Sequence, residues 1–269
     1  MVSLLAFIVL ALMAVFSSTQ RAFRAAVTQT DVMEGSRATM ELMAADLRGA
    51  TPSDNGGATN FLVLGNSVYD STYLPLPQTL PGAVDGSGNP IQRTNQLNYF
   101  FVLGRNNTTW TGTGYLVDTA HASPLYGLYR FYAETNVLFP PQTLFQQFQA
   151  AMSSPAANMS HLIDGVVHLN VRAYDPNGVW INGYAWPYTN ANNTFFFPPS
   201  YGETQFYMVG NMVPAAVEVE LGVVEDRILQ RAESRPPALQ AQYLSDKSGS
   251  VHLFRQRVTI PNVDPTAYQ

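Results

Sequence analysis

The sequence predicts an α+β protein, with one long N-terminal helix over residues 1–51 packed on a β-rich head of antiparallel sheets. Three observations predict it. Met1 to Phe16, MVSLLAFIVLALMAVF, has no charge, Gly or Pro, and the chain turns polar after it with no proline before Pro52. Further along that stretch, apolar residues recur at helical spacing. Beyond residue 51 the pattern changes to short alternating apolar runs divided by Gly-, Pro-, Asn- and Asp-rich turns, which is how strands read.

The apolar run is slightly short for a membrane span. Sixteen helical residues cover about 24 Å, against about 30 Å and about 20 residues for a hydrocarbon core. Three readings are open: a cleavable signal peptide, a short anchor, or a spanning helix whose first turn is missing from this chain. A signal peptide would carry a basic n-region and a small-residue cleavage site. No Lys or Arg precedes the run, and Ala14-Val15-Phe16-Ser17-Ser18 is a poor site. A buried core helix is the ordinary alternative, and a place at the extreme N-terminus argues against it. Residues 1–20 are therefore expected to be the transmembrane part, and residues 21–51 an amphipathic continuation.

In that continuation Val32, Met33, Met40, Met43, Ala44 and Leu47 fall on one stripe, with Arg37, Glu41 and Arg48 off it and Asp46 partly off it. The helix should stop near Arg48-Gly49, because Gly suits a C-cap and Thr51-Pro52 does not continue a helix easily. Fifty helical residues measure roughly 75 Å, too long for a core helix in one small domain. Half of that length must be covered by lipid or by neighbouring subunits.

Residues 52–269 are read as one α+β head. Thr51–Ala58 is a loop and Asn60–Leu64 a short strand. Residues 70–96, with four prolines and Asp85-Gly86-Ser87-Gly88, are expected as a surface excursion. Strands are expected at 98–103, 114–117 and 126–132. Leu144, Phe148 and Met152 at i, i+4, i+8 make a short helix, ended by Ser153-Ser154-Pro155. Val166–Tyr174 alternates strictly, and Asp175-Pro176-Asn177-Gly178 should turn it back onto 179–186 as a hairpin. Residues 187–204 read as irregular, and 205–209 as a short strand. Residues 215–223 alternate with Glu218 and Glu220 outward. Residues 224–247 are helix-prone around Pro236-Pro237, and 251–260 closes the sheet. The strands are expected to form two small sheets.

Composition narrows the function. The chain of 269 residues has a net charge of −5 and only 12% charged residues, which disfavours a nucleic-acid binder. It has no cysteine, so disulfides and Cys-based metal sites are excluded and a head outside the cell rests on its core alone. Phosphate loops, nucleophile elbows and zincin helices are absent.

The remaining candidates are weak by their spacing. His161, Asp164 and His168 sit close in sequence, but no standard ligand pattern matches, and on a strand the two histidines point to opposite faces. Glu218 and Glu220 are roughly 6.5–7 Å apart on one strand face, within the range of about 5–10 Å for glycosidase carboxylates. Outward Glu on an alternating strand is nonetheless the ordinary solvated face. Trp180, Trp186, Tyr188 and Phe195–Phe197 could stack on sugar, but are more commonly a core edge or a protein contact. Asn106-Asn107-Thr108 and Asn192-Asn193-Thr194 are sequons of a kind that chance supplies. Arg21 and Arg24 are placed either to touch lipid headgroups or to start a solvated helix. No catalytic, cofactor or metal residue is assigned.

Two stretches carry a family likeness: VSLLAFIVLALMAVFSSTQRAF, and GSRATMELMAADLRGA with its Ala-x-x-x-Leu-x-x-Asp-Leu-Arg type phrase over Ala38–Arg48. Leu162–Val166 and Val213–Val219 echo it downstream. In these the chain resembles type IV pilin-like proteins after prepilin processing: the minor pseudopilins of type II secretion, above all the J subunit, and the pilW-like minor pilins. It is also similar to the prepilin-like Verru_Chthon cassette proteins of type C. The resemblance implies a structural subunit rather than an enzyme, without cofactor or metal. It implies a single-pass place in the inner membrane with the head in the periplasm, and partners that are membrane lipid and other pilin-like subunits met through the N-terminal helix. Nucleic acid and small-molecule substrates are not expected.

The processing phrase Gly-Phe-Thr-Leu-x-Glu is absent, and Met1 stands where the residue after that Glu would be. The expectation is that about five further residues belong to the mature stem, giving about twenty-one, enough to span. A chain truly beginning at Met1 would lack the Glu with which pilins pair a neighbour's N-terminus. The alternative is a membrane-anchored extracytoplasmic binding module or glycan hydrolase.

Overall fold

With no proline before Pro52, residues Val2–Arg48 form a single helix, α1. The computed structural model describes residues 2–65, 78–84, 90–93, 96–119, 126–182, 193–197 and 205–268. The helix ends at Arg48, with Gly49 N–H donating to the carbonyls of Ala45 and Asp46. Its buried side chains recur at helical spacing: Val32, Ser36, Thr39, Met40, Met43, Ala44 and Leu47. Met43 and Leu47 are fully buried, each contributing about 1.5–3 kcal/mol. Ser36 and Thr39 lie inside the apolar stripe. Thr39 satisfies its hydroxyl by donating to Gly35 O at 2.8 Å.

The body is β-rich. Its strands are β1 (Asn55–Gly65), β2 (Gln78–Val84), β3 (Pro90–Arg93), β4 (Asn98–Asn106), β5 (Thr109–Asp118), β6 (Tyr126–Asn136), β7 (Ser160–Tyr174), β8 (Thr194–Phe196), β9 (Phe206–Gly210), β10 (Ala216–Val224) and β11 (Val251–Thr259). Between them lie the helices α2 (Gln142–Ala151), α3 (Pro155–Asn158), α4 (Asp226–Glu233) and α5 (Pro237–Asp246). Nine strands form one antiparallel sheet in the order β11-β10-β7-β6-β5-β4-β1-β9-β8, and β2 pairs with β3 in a second, two-stranded sheet. The large sheet curls toward a half-barrel. Leu97, at the entry to β4, bridges Leu169 of β7, and Leu169 N–H donates to Gln96 O at 2.7 Å.

The expected fold is corrected here. The strands of the body do not divide into two small sheets beside a transmembrane helix; they make one nine-stranded sheet. Among the described residues no helix is long and apolar enough to cross a membrane. The joining of the strands is a long-range event. β1 finds β9 some 145 residues on, with Phe61 opposite Met208, which brings β9 and β8 onto one edge, while β10 and β11 join at the other edge through β7.

Smaller expectations also change. The partners of β7 are β6 and β10; of the expected hairpin only the bridge Tyr174–Trp180 forms, and residues 183–186 lie outside the described residues. The stretch read as irregular contains β8, and the stretch read as a surface excursion contains β2 and β3. Residues 234–236 separate α4 from α5, which begins at Pro237.

The sheet buries both faces. On one, the α1 stripe meets Phe61, Phe100, Tyr115, Leu169 and Leu221. On the other, Leu144, Phe148 and Ala151 of α2 cover Leu62, Phe101 and Phe131. Ile228, Leu229 and Ala232 of α4 and Leu244 of α5 close over Val167 and Val224.

Two buried phenols make stability depend on alkaline pH. Burial, and for Tyr115 the nearby Asp46 carboxylate, pushes the hydroxyls of Tyr115 and Tyr268 far above the ordinary tyrosine range. Below pH of about 10 both are protonated whether the chain is folded or not, so their contribution is complete. Above it the unfolded chain loses these protons and the folded chain keeps them, so stability falls as pH rises. Urea midpoints are expected to stay flat from pH 7 to 9 and to drop beyond about pH 10. Ionisation of all fourteen tyrosines at 295 nm before any loss of ellipticity would contradict this.

Candidate functional site

Two surfaces stand out among the described residues. The first is the N-terminal half of α1. Val9, Leu10, Leu12, Met13, Val15 and Phe16 are all exposed, Leu10 at 67% and Met13 at 68%, and Phe23 at 70% follows. At about 100° per residue these side chains point all round the helix. From Val9 to Gln20 only Ser17 is partly covered. Ser17 Oγ donates to Ala14 O at 3.0 Å and Thr19 Oγ1 to Val15 O at 2.9 Å. These hydroxyls are satisfied within the helix and need no water. The side chains of Arg21 and Arg24 lie outside the described residues.

The root of the same helix is pinned by charge. Arg130 of β6 grips Asp46 with both arms, Nε at 2.9 Å from Oδ2 and Nη2 at 3.0 Å from Oδ1. Tyr115, opposite Arg130 across the β5–β6 ladder, donates its hydroxyl to the same Oδ2. Burial would by itself lower the Arg130 pKa, but the hydrogen bond and charge of Asp46 outweigh it and raise it. The Asp-Leu-Arg phrase thus has a physical job for its first two residues. Asp46 ties the helix to the sheet and Leu47 fills the core.

The second surface is an aromatic cleft of about 590 Å³ between α2 and the strands β1, β4 and β9. Phe145 and Gln149 of α2, with Met152 at its C-terminal end, form one wall. Leu62 and Leu64 of β1 and Tyr99 of β4 form the floor, and Tyr207 of β9 with Phe197 the far side. Phe195 stacks on Tyr207 with ring centroids 4.9 Å apart and planes 14° apart, and Phe197 leans on Tyr207 at 5.5 Å.

The other candidates from the sequence are dispersed. Glu218 and Glu220, expected on a solvated face, are 6% and 3% exposed. β10 is an interior strand, flanked by β7 and β11. Arg255 of β11 lies over both carboxylates, Nη2 at 2.7 Å from Glu218 and Nε at 3.5 Å from Glu220. Arg257 instead sits 4.0 Å above the Tyr174 ring. His168 is buried with Nε2 3.5 Å from Glu220, and its Nδ1 accepts from Gln96 N–H at 2.9 Å. His161 is outside this group, 2.8 Å from Asp164. Trp180 lies against the Arg172 guanidinium, away from the cleft. Trp186, Tyr188 and Asn192 lie outside the described residues. Asn107 occupies the β4–β5 turn with φ 50°.

Comparison with known proteins finds no matching family model, no matching curated protein and no matching solved structure.

Sequence reasoning singled out Phe195–Phe197 but not their partners Tyr99, Gln149 and Tyr207. Those residues come from three separate elements; the register of β8 on β9 sets Phe195 opposite Tyr207, and the rest meet only through the fold.

Proposed function

We propose that the protein is a minor pilin-like structural subunit of a type II secretion or type IV pilus-like assembly, placed at the inner membrane with its sheet on the periplasmic side. The observation that supports this is the all-round exposure of Val9–Phe16. A helix apolar on one stripe is satisfied by one partner; a helix apolar all round needs an apolar surrounding. In an assembly that surrounding is the same segment of several neighbouring copies. Ala11, Ala14 and Ser18, spaced three and four apart and all exposed, form a small-residue seam along which helix backbones can approach closely. The Asp46–Arg130–Tyr115 tie fits the same role, because a load on the helix passes through it to the sheet.

The full chain is expected to form multimers at micromolar concentration without detergent. Because it has no cysteine, Ala14→Cys introduces a single thiol, and oxidation should yield disulfide-linked dimers. Leu12→Gln with Phe16→Gln should reduce association at least tenfold in sedimentation without changing the melt of the sheet. A monomeric chain with no cross-link at position 14 would overturn the reading. So would multimers indifferent to the two glutamines.

A further inference from the structure

We infer that the cleft between α2 and β9 is a binding site for a neutral saccharide. Its size lies within the range of about 300–1,000 Å³ typical of small-molecule sites. Among its described lining residues none is charged, so nothing there selects an anion or a cation. The rings of Tyr99, Phe145, Phe197 and Tyr207 offer flat apolar surfaces. Phe195, 44% exposed, backs Tyr207 as a second layer.

Between the rings stand neutral hydrogen-bonding groups: the Gln149 amide, the Thr59 hydroxyl and two phenols. Burial holds the Tyr99 hydroxyl above its ordinary pKa, so it stays protonated and can donate. A pyranose ring matches this combination. Its C–H face lies on an aromatic ring while its hydroxyl edge meets amide and phenol. A wholly apolar guest would leave any of those polar groups that it buries without a partner, at about 1–3 kcal/mol each. No carboxylate lines the cleft among the described residues, and the inferred role of the site is binding. This is independent of the assembly reading, since no residue of α1 is among the described residues that line the cleft.

Saturation-transfer NMR on the full chain tests it with three probes: maltotriose, cellotriose and tri-galacturonate. At least one neutral trisaccharide should receive saturation on its C–H protons, with a millimolar or tighter dissociation constant by calorimetry. The charged trimer should bind at least tenfold more weakly. Phe197→Ala, at an exposed position, should weaken binding at least tenfold at unchanged melting temperature, and Gln149→Ala several-fold. No transfer to either neutral trimer, equal binding of the charged one, or unchanged binding in Phe197→Ala would each overturn the proposal.

Discussion

Asp46→Ala is expected to lower the stability of the chain by about 3–5 kcal/mol, the range for removing one partner of a buried ion pair. Both partners are well covered, with Arg130 at 19% and Asp46 at 14% side-chain exposure. Without the carboxylate, the guanidinium keeps its desolvation cost and loses both charge-assisted hydrogen bonds, and the fully buried Tyr115 hydroxyl loses its acceptor. The Tyr132 ring, 4.8 Å from the guanidinium, offers Arg130 only partial compensation. Asp46→Asn should lose less, because the amide oxygen still accepts one bond. Arg48→Ala, exposed two residues away, should change stability by less than about 0.5 kcal/mol. Urea unfolding of the three variants checks the order. A loss below about 1 kcal/mol for Asp46→Ala, in the range of a surface pair, would mean that core contacts alone hold the helix root.

Phe148→Ala should cost about as much, 3–5 kcal/mol, for a different reason. Phe148 is fully buried at the centre of the α2 face, with the rings of Phe101 and Phe131 each 5.6 Å away. It sits where the sheet has no side chain, since a Cβ at Gly114 would run into its ring. Gly114 is thus the socket for this ring, and Gly112 beside it makes room for Leu144. Gly114→Ala alone should destabilise by about 1–3 kcal/mol through overpacking. Gly114→Ala combined with Phe148→Leu should lose less than the sum, with a coupling of about 0.5–3 kcal/mol in a double-mutant cycle. Strict additivity would show that α2 is not keyed to the sheet at this point.

The residues that spoke in the sequence are those whose pattern is local. The stripe from Val32 to Leu47 repeats within each helical turn, and those side chains are the buried ones, apart from Met33, which is only partly so. Strict alternation in Val166–Tyr174 and in Ala215–Val223 marks β7 and β10 because each records which side of a strand is apolar. Leu144 and Phe148 mark α2 in the same way. Such patterns show that a face is covered without showing by what. Glu218 and Glu220 illustrate the difference. Alternation placed them correctly on one face, but whether that face meets water depended on Arg255, thirty-seven residues later in the chain. β8 was invisible because three residues are too few for a period, and it exists only as a partner of β9.

By itself, then, the amino-acid order determined where the longer helices and the strongly alternating strands lie, which of their sides are apolar, and that residues 9–16 are greasy on every side. Only the tertiary structure decided that nine strands share one curled sheet, that two glutamates go under an arginine, and that four aromatic rings from four segments meet around one cleft. The reason is the range of the forces involved. Helical and strand periods follow from neighbouring residues and their contact with water, whereas register, ion pairs and clefts depend on which distant segments close on each other, and a linear pattern holds no record of that choice.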